Sequence, residues 1–148
     1  MGSTNLPPQG GASTAAYLSA SLVASQTSPI TVGSAIEFDT PLETSGDLTI
    51  AGTGIVSGFV GGKTYKFTAV MTCGFSSATG SCRMQFFIDG ALRGGDNEVF
   101  SVGTSGSGSV ECLYTPSAAS TAELRISHVN GLNQVTGASR SHITITEI

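Results

Sequence analysis

Residues 61–75, GGKTYKFTAVMTCGF, decide how the rest of this chain is read. Tyr65, Phe67, Ala69, Met71, Cys73 and Phe75 recur at every second position, while Lys66, Thr68, Thr72 and Gly74 occupy the positions between. A period of two places the first set on one face of a β-strand and the second on the other, so one face is buried and the other is wet. Val70 and, in later strands, Phe87 and Leu113 are apolar but out of phase with the buried set.

Working outward, the same alternation predicts strands over 30–38, 47–50, 54–59, 63–75, 81–88, 97–102, 109–115, 121–129 and 141–148. Asp89-Gly90 and Asn130-Gly131 are signals for type I′ hairpins, and GTSGSGS after Val102 reads as a longer flexible connection. No helical period follows residue 28. About eight or nine short strands at this spacing predict an all-β antiparallel sandwich or barrel. Residues 1–28 carry no charge and are built largely from Gly, Ala, Ser, Thr and Pro. They are expected to form an extended arm ahead of a domain spanning 29–148, with Tyr17, Leu18, Leu22 and Val23 as its sticky positions.

Composition narrows the function by exclusion. With 148 residues the chain can bury about two-thirds of its unfolded surface in one domain. Only 11% of its residues are charged, against roughly 25% in an ordinary domain, so its surface is mostly hydroxyl, backbone and small apolar groups. Such a surface loses little solvation when another protein covers it. Six Lys and Arg, none closer than three positions apart, and a net charge of −4 exclude phosphate-backbone binding and attraction to an anionic membrane. No apolar run reaches the roughly 20 residues of a membrane-spanning helix. The N-terminus lacks the pattern of a secretion signal, and Leu6 breaks the myristoylation pattern, so synthesis in a cytosol is expected.

Sites for chemistry are sparse. Gly-x-Ser-x-Gly, phosphate-loop and dinucleotide patterns are absent from the sequence. His128 and His142 fall in separate strands with no ligand spacing around them. The acidic stretches EFDTPLETSGD and DGALRGGDNE offer oxygens that could hold calcium, but neither has EF-hand spacing, and acidic residues serve turns for local reasons. Sugar-cleaving sites usually stack their substrate on aromatic platforms, and the chain has no Trp. The expectation is a protein that is not an enzyme and binds no metal or cofactor. Cys73, Cys82 and Cys112 each sit in phase with the buried face of a strand. In a reducing compartment they are read as three free, buried thiols, with a Cys73–Cys82 bridge as the alternative.

The Gly-Gly-Lys-Thr-Tyr-Lys-Phe strand has IEFDT upstream of it, and FFIDG and STAELRISHVNG…SRSHITITEI after it. Together these resemble the tumour-necrosis-factor-like jelly roll, which includes the globular heads of complement-type proteins and their bacterial and viral relatives. The resemblance covers roughly residues 30–148. It implies a jelly-roll homotrimer in which the Tyr-x-Phe strand is central and the terminal strand packs beside it near the three-fold axis. Tyr65, Phe67, Val70, Phe87 and Leu113 are the trimer-interface candidates on this reading. Without a collagen-like repeat or a leader, the resemblance points to phage relatives. There the fold serves as a capsid decoration (cement) protein on the virion surface, tied by its arm to the major capsid protein or another virion protein. A receptor- or carbohydrate-binding module at a fibre tip is the alternative, with its site in loops 89–97 or 103–108.

Overall fold

The computed structural model describes residues 14–27 and 29–148. Twelve strands form two antiparallel sheets packed face to face. The first sheet contains β1 (Tyr17–Ser21), β2 (Gln26–Thr27), β3 (Thr40–Ser45), β6 (Tyr65–Phe75), β9 (Ser105–Tyr114), β11 (Leu132–Val135) and β12 (His142–Glu147). The second runs β4–β5–β10–β7–β8, with β4 (Thr49–Ile50), β5 (Val56–Ser57), β7 (Ser81–Ile88), β8 (Ala91–Phe100) and β10 (Ala122–Asn130). In the first sheet β6 is the hub. β9 lies along one side of it, and β12 and then β11 share the other side. β1 joins β12 to β3, and β2 closes on β11.

The alternation in residues 65–75 is realised as expected. Tyr65, Phe67, Ala69, Met71, Cys73 and Phe75 all point into the core, where they meet Met84, Phe86 and Ile88 of β7 and Leu124 and Ile126 of β10. An aromatic cluster fills the centre. Phe67 lies 5.5 Å from both Phe59 and Phe86, and Tyr65 meets Phe59 edge to face at 5.0 Å. The buried Tyr65 hydroxyl accepts a hydrogen bond from the Val60 amide, so its polar end is satisfied.

Several boundaries differ from the sequence reading. The arm is not an arm from Thr14 onward: Leu18, Ala20 and Leu22 are core residues, and β1 is hydrogen-bonded on both edges. The domain therefore begins ahead of residue 29, and residues 1–13 lie outside the described residues. Residues 30–38 do not make a regular strand, because Gly33 adopts φ +90° and turns the chain. Ile36 and Phe38 are buried there all the same, and the segment bonds along β10 through Gly33, Ser34 and Ile36. The FSSATGS segment carries the chain from one sheet to the other instead of closing a paired hairpin.

Asp89-Gly90 does form the expected turn, with φ +55° and +77°, between the paired strands β7 and β8. Asn130-Gly131 does not. Only Gly131 has positive φ, and the chain crosses there from β10 in one sheet to β11 in the other. GTSGSGS is not a flexible connection either, since β9 starts at Ser105 and pairs with β6 throughout. Two of its glycines answer to packing. A side chain at Gly106 would strike the Phe100 carbonyl, and one at Gly108 would strike the Val99 side chain.

Candidate functional site

Register sets what each sheet shows to its surroundings, because directly paired residues share a face. On the outward face of the first sheet, one row runs Leu113, Lys66, Thr146, Tyr17 and Ser45 across five strands. The next is Glu111, Thr68, Thr144, Ser19 and Glu43, and a third is Ser109, Val70, His142 and Thr40, with Ser21 in the same register but fully buried. This surface is dominated by hydroxyls, with Tyr17, Val70 and Leu113 as its apolar members. Lys66 pairs with Glu111 at 2.8 Å, which cancels two of its charges. At its rim β9 is the edge strand, and Leu113 there is 60% exposed. Phe100 (64% exposed) and Val102 (83%) project from the turn between β8 and β9, at the opposite end of β9 and about 25 Å from Leu113 at strand rise.

The outward face of the second sheet has a different character. The Arg125 guanidinium lies over the Phe87 ring, 3.5 Å from its centroid, and is held there by Glu123. Val32, Leu92 and Ile126 complete a shallow apolar cleft of about 170 Å³ around Phe87. That is below the roughly 300 Å³ at which small-molecule sites begin. Arg83 on the same sheet bonds Glu98 at 3.0 Å and lies 3.6 Å from Asp96.

The interface candidates therefore separate into three groups. Tyr65 and Phe67 have no exposed surface and belong to the sandwich core, so they cannot form a seam with another copy. Their phase along β6 already carried that signal. Val70 and Leu113 share the outward face of the first sheet, and Tyr17 joins them there. Phe87, half-buried beneath Arg125, lies on the opposite side of the molecule. Of the attachment candidates, Leu18 and Leu22 are core residues, Tyr17 is half-buried, and Val23 is exposed just beyond β1.

The segments proposed as recognition loops are mostly strand: β8 covers 91–100 and β9 starts at 105. The acidic stretches serve local structure. Asp39 accepts bonds from the Val23 amide and the Thr40 hydroxyl, and Asp89 accepts one from the Tyr114 hydroxyl. Among the described residues no group of three or more His, Cys, Asp or Glu is placed to hold a metal ion. His128 and His142 stand on different sheets.

Glu147, at the end of β12, ties Ala16 just ahead of β1 to Lys63 just ahead of β6. Glu147 accepts a hydrogen bond from the Ala16 amide at 3.1 Å and pairs with Lys63 at 2.7 Å. The Lys63 ammonium, and then the Ala16 amide, hold the Glu147 carboxyl below its ordinary 4.5. A carboxyl lowered by folding stabilises the fold above its ordinary value, and that stability is lost as pH falls through 4.5 toward the lowered value. Glu147→Gln is accordingly expected to flatten the acid limb of the stability-against-pH profile below pH 4.5, read by urea unfolding at a series of pH values. An unchanged acid limb would show that the pair is too well solvated to matter.

No protein-family model and no curated protein matches the sequence. Solved structures do match. The globular domain of a zebrafish complement 1qA protein superposes with a TM-score of 0.64 at 14% identity, covering 91% of this chain and 98% of that one. Murine APRIL, in its structure at pH 8.0, gives 0.63 at 13% identity and covers 91% and 100%. At such identity the likeness is one of architecture, and it spans almost the whole chain: this protein has an all-β jelly-roll fold like that of these two structures.

Proposed function

We propose that the protein is a non-catalytic structural module that assembles as a homotrimer and decorates a phage particle. Attachment to the major capsid protein, or to another virion protein, would run through residues ahead of β1. The observation that carries the assembly reading is the first sheet's outward face, with the exposed Leu113 on its β9 rim. A cyclic trimer needs two different complementary patches on each copy, because its contacts are head-to-tail. The hydroxyl-rich face around Tyr17, Val70 and His142 supplies a broad patch with few charges to desolvate. The β9 edge supplies a projecting apolar one at Leu113. A second sheet whose own exposed charges are largely paired suits an outer surface facing solvent. The family resemblance supports the virion part of the reading.

Sedimentation of the purified chain tests the assembly. Wild type should run at three times the 14.9 kDa chain mass. Leu113→Asp, which places a charge on the 60% exposed rim, should shift it to one chain mass with its circular dichroism unchanged. A wild-type monomer at high micromolar concentration would end the trimer reading. Particle binding is tested separately by deleting residues 2–13, which should leave the trimer intact and abolish decoration. A truncated protein that still decorates particles would refute that route of attachment.

A further inference from the structure

Two of the three cysteines meet across the core. Cys73 lies near the end of β6 and Cys82 near the start of β7; both are fully buried, and their Sγ atoms are 3.5 Å apart. β6 and β7 belong to different sheets, so the contact spans the sandwich where residues 76–80 carry the chain across. A disulfide needs the sulfurs at about 2.05 Å, an approach of roughly 1.5 Å that lies within reach of small side-chain adjustments. Cys112 is elsewhere. It pairs with Phe67, six residues along β6 from Cys73, which is about 20 Å at strand rise.

We propose that Cys73 and Cys82 form a redox-responsive clamp, closing into an intersheet disulfide by exchange with a low-molecular-weight disulfide. The inference stands on the sulfur geometry and holds whether or not the chain assembles or binds a virion. Cys82 is the attacking sulfur. The hydrogen bond from Cys73 lowers its pKa, although burial opposes this, while the same contact and burial push Cys73 up so that it keeps its proton. The Cys82 thiolate attacks one sulfur of R–S–S–R, forming a mixed disulfide and releasing R–S⁻. Cys73 then loses its proton, attacks the Cys82 sulfur and displaces the second R–S⁻. Two thiols are oxidised and one small disulfide is reduced to two small thiols. Access runs through the exposed turn at Ser76–Thr79, held partly by the Ser76 amide to the Gly131 carbonyl at 2.8 Å. Once closed, the bond ties the two sheets at a corner where that turn and the Asn130–Gly131 crossing already join them, as in a protein that leaves a reducing compartment for an oxidising one.

The test uses the full chain carrying Cys112→Ser, incubated folded, and separately refolded from denaturant, with dithiodiethanol as the disulfide. Refolding removes any barrier of access to the buried sulfurs. The expected product is 2 Da lighter than the reduced chain, yields a linked Cys73–Cys82 peptide, and melts roughly 5 °C higher than the reduced form. The shift should vanish in Cys82→Ser. Free thiols after refolding, or stable mixed disulfides at both positions, would overturn the proposal. A bridge that forms without raising the melting temperature would overturn the clamp, since the native core would then be strained by closure.

Discussion

Removing residues 1–27 is expected to abolish cooperative folding: the truncated chain, followed by circular dichroism on heating, should show no sharp transition. β1 sits between β12 and β3, with Leu18 opposite Ile145 and Ala20 opposite Ile143. Its loss strips β12 of a hydrogen-bonded neighbour, leaves β3 with nothing to pair with, and opens the core at Leu18, Ala20 and Leu22. Each buried leucine is worth about 1.5–3 kcal/mol of transfer free energy before any cavity cost. Two of them, with the backbone pairing, approach the whole margin of about 5–15 kcal/mol that holds a domain folded. Leu18→Ala is the gentler version and should cost about 2–5 kcal/mol in urea unfolding. A chain of residues 28–148 that melts cooperatively would mean that β1 is an accessory to the fold and not part of it.

The same strand shows where sequence patterning runs out. YLSAS alternates weakly, because its two inward positions are filled by leucine and alanine and those following Tyr17 on the other side by serine. Surrounded by Gly, Ser and Thr, that signal looks like low complexity, yet pairing on both edges gives it order that no local propensity supplies. β3 is harder still. It is exposed along most of its length and contains Pro41, and the missing amide of proline is tolerated on an edge. β6 and β7, by contrast, alternate with large apolar residues and were legible to within a residue or two. Gly-rich runs misled in the other direction: residues 103–108 read as slack chain, whereas Gly106 and Gly108 are there because β8 presses on β9. Phase along a strand was legible too, and it assigns Tyr65 and Phe67 to the core whatever a resemblance suggests for their strand. Which outward residues align into one surface was not legible, since that depends on the register among β1, β12, β6 and β9.

That difference in phase has a measurable consequence. Phe67→Ala should destabilise the protein by about 3–5 kcal/mol, lowering its melting temperature by roughly 10 °C, because the ring is enclosed and the hole cannot fill with water. Its neighbours Phe59, Phe86 and Tyr65 lie at 5.5, 5.5 and 6.5 Å, and all three are themselves packed in the core. At temperatures where the variant is still folded, its sedimentation should match wild type, since Phe67 offers a neighbour nothing to touch. Leu113→Asp should do the reverse, leaving unfolding of the single chain nearly unchanged while dissociating the assembly. The two residues lie on adjacent paired strands, Phe67 opposite Cys112 and Leu113 opposite Lys66, so they differ by little more than one step of the pleat. If Phe67→Ala dissociates a still-folded assembly, then β6 takes part in the seam through its inward face, and the division between core and contact surface drawn from register is wrong. If the two variants separate as expected, folding of the sandwich and association of its copies are independent properties of opposite faces of one sheet.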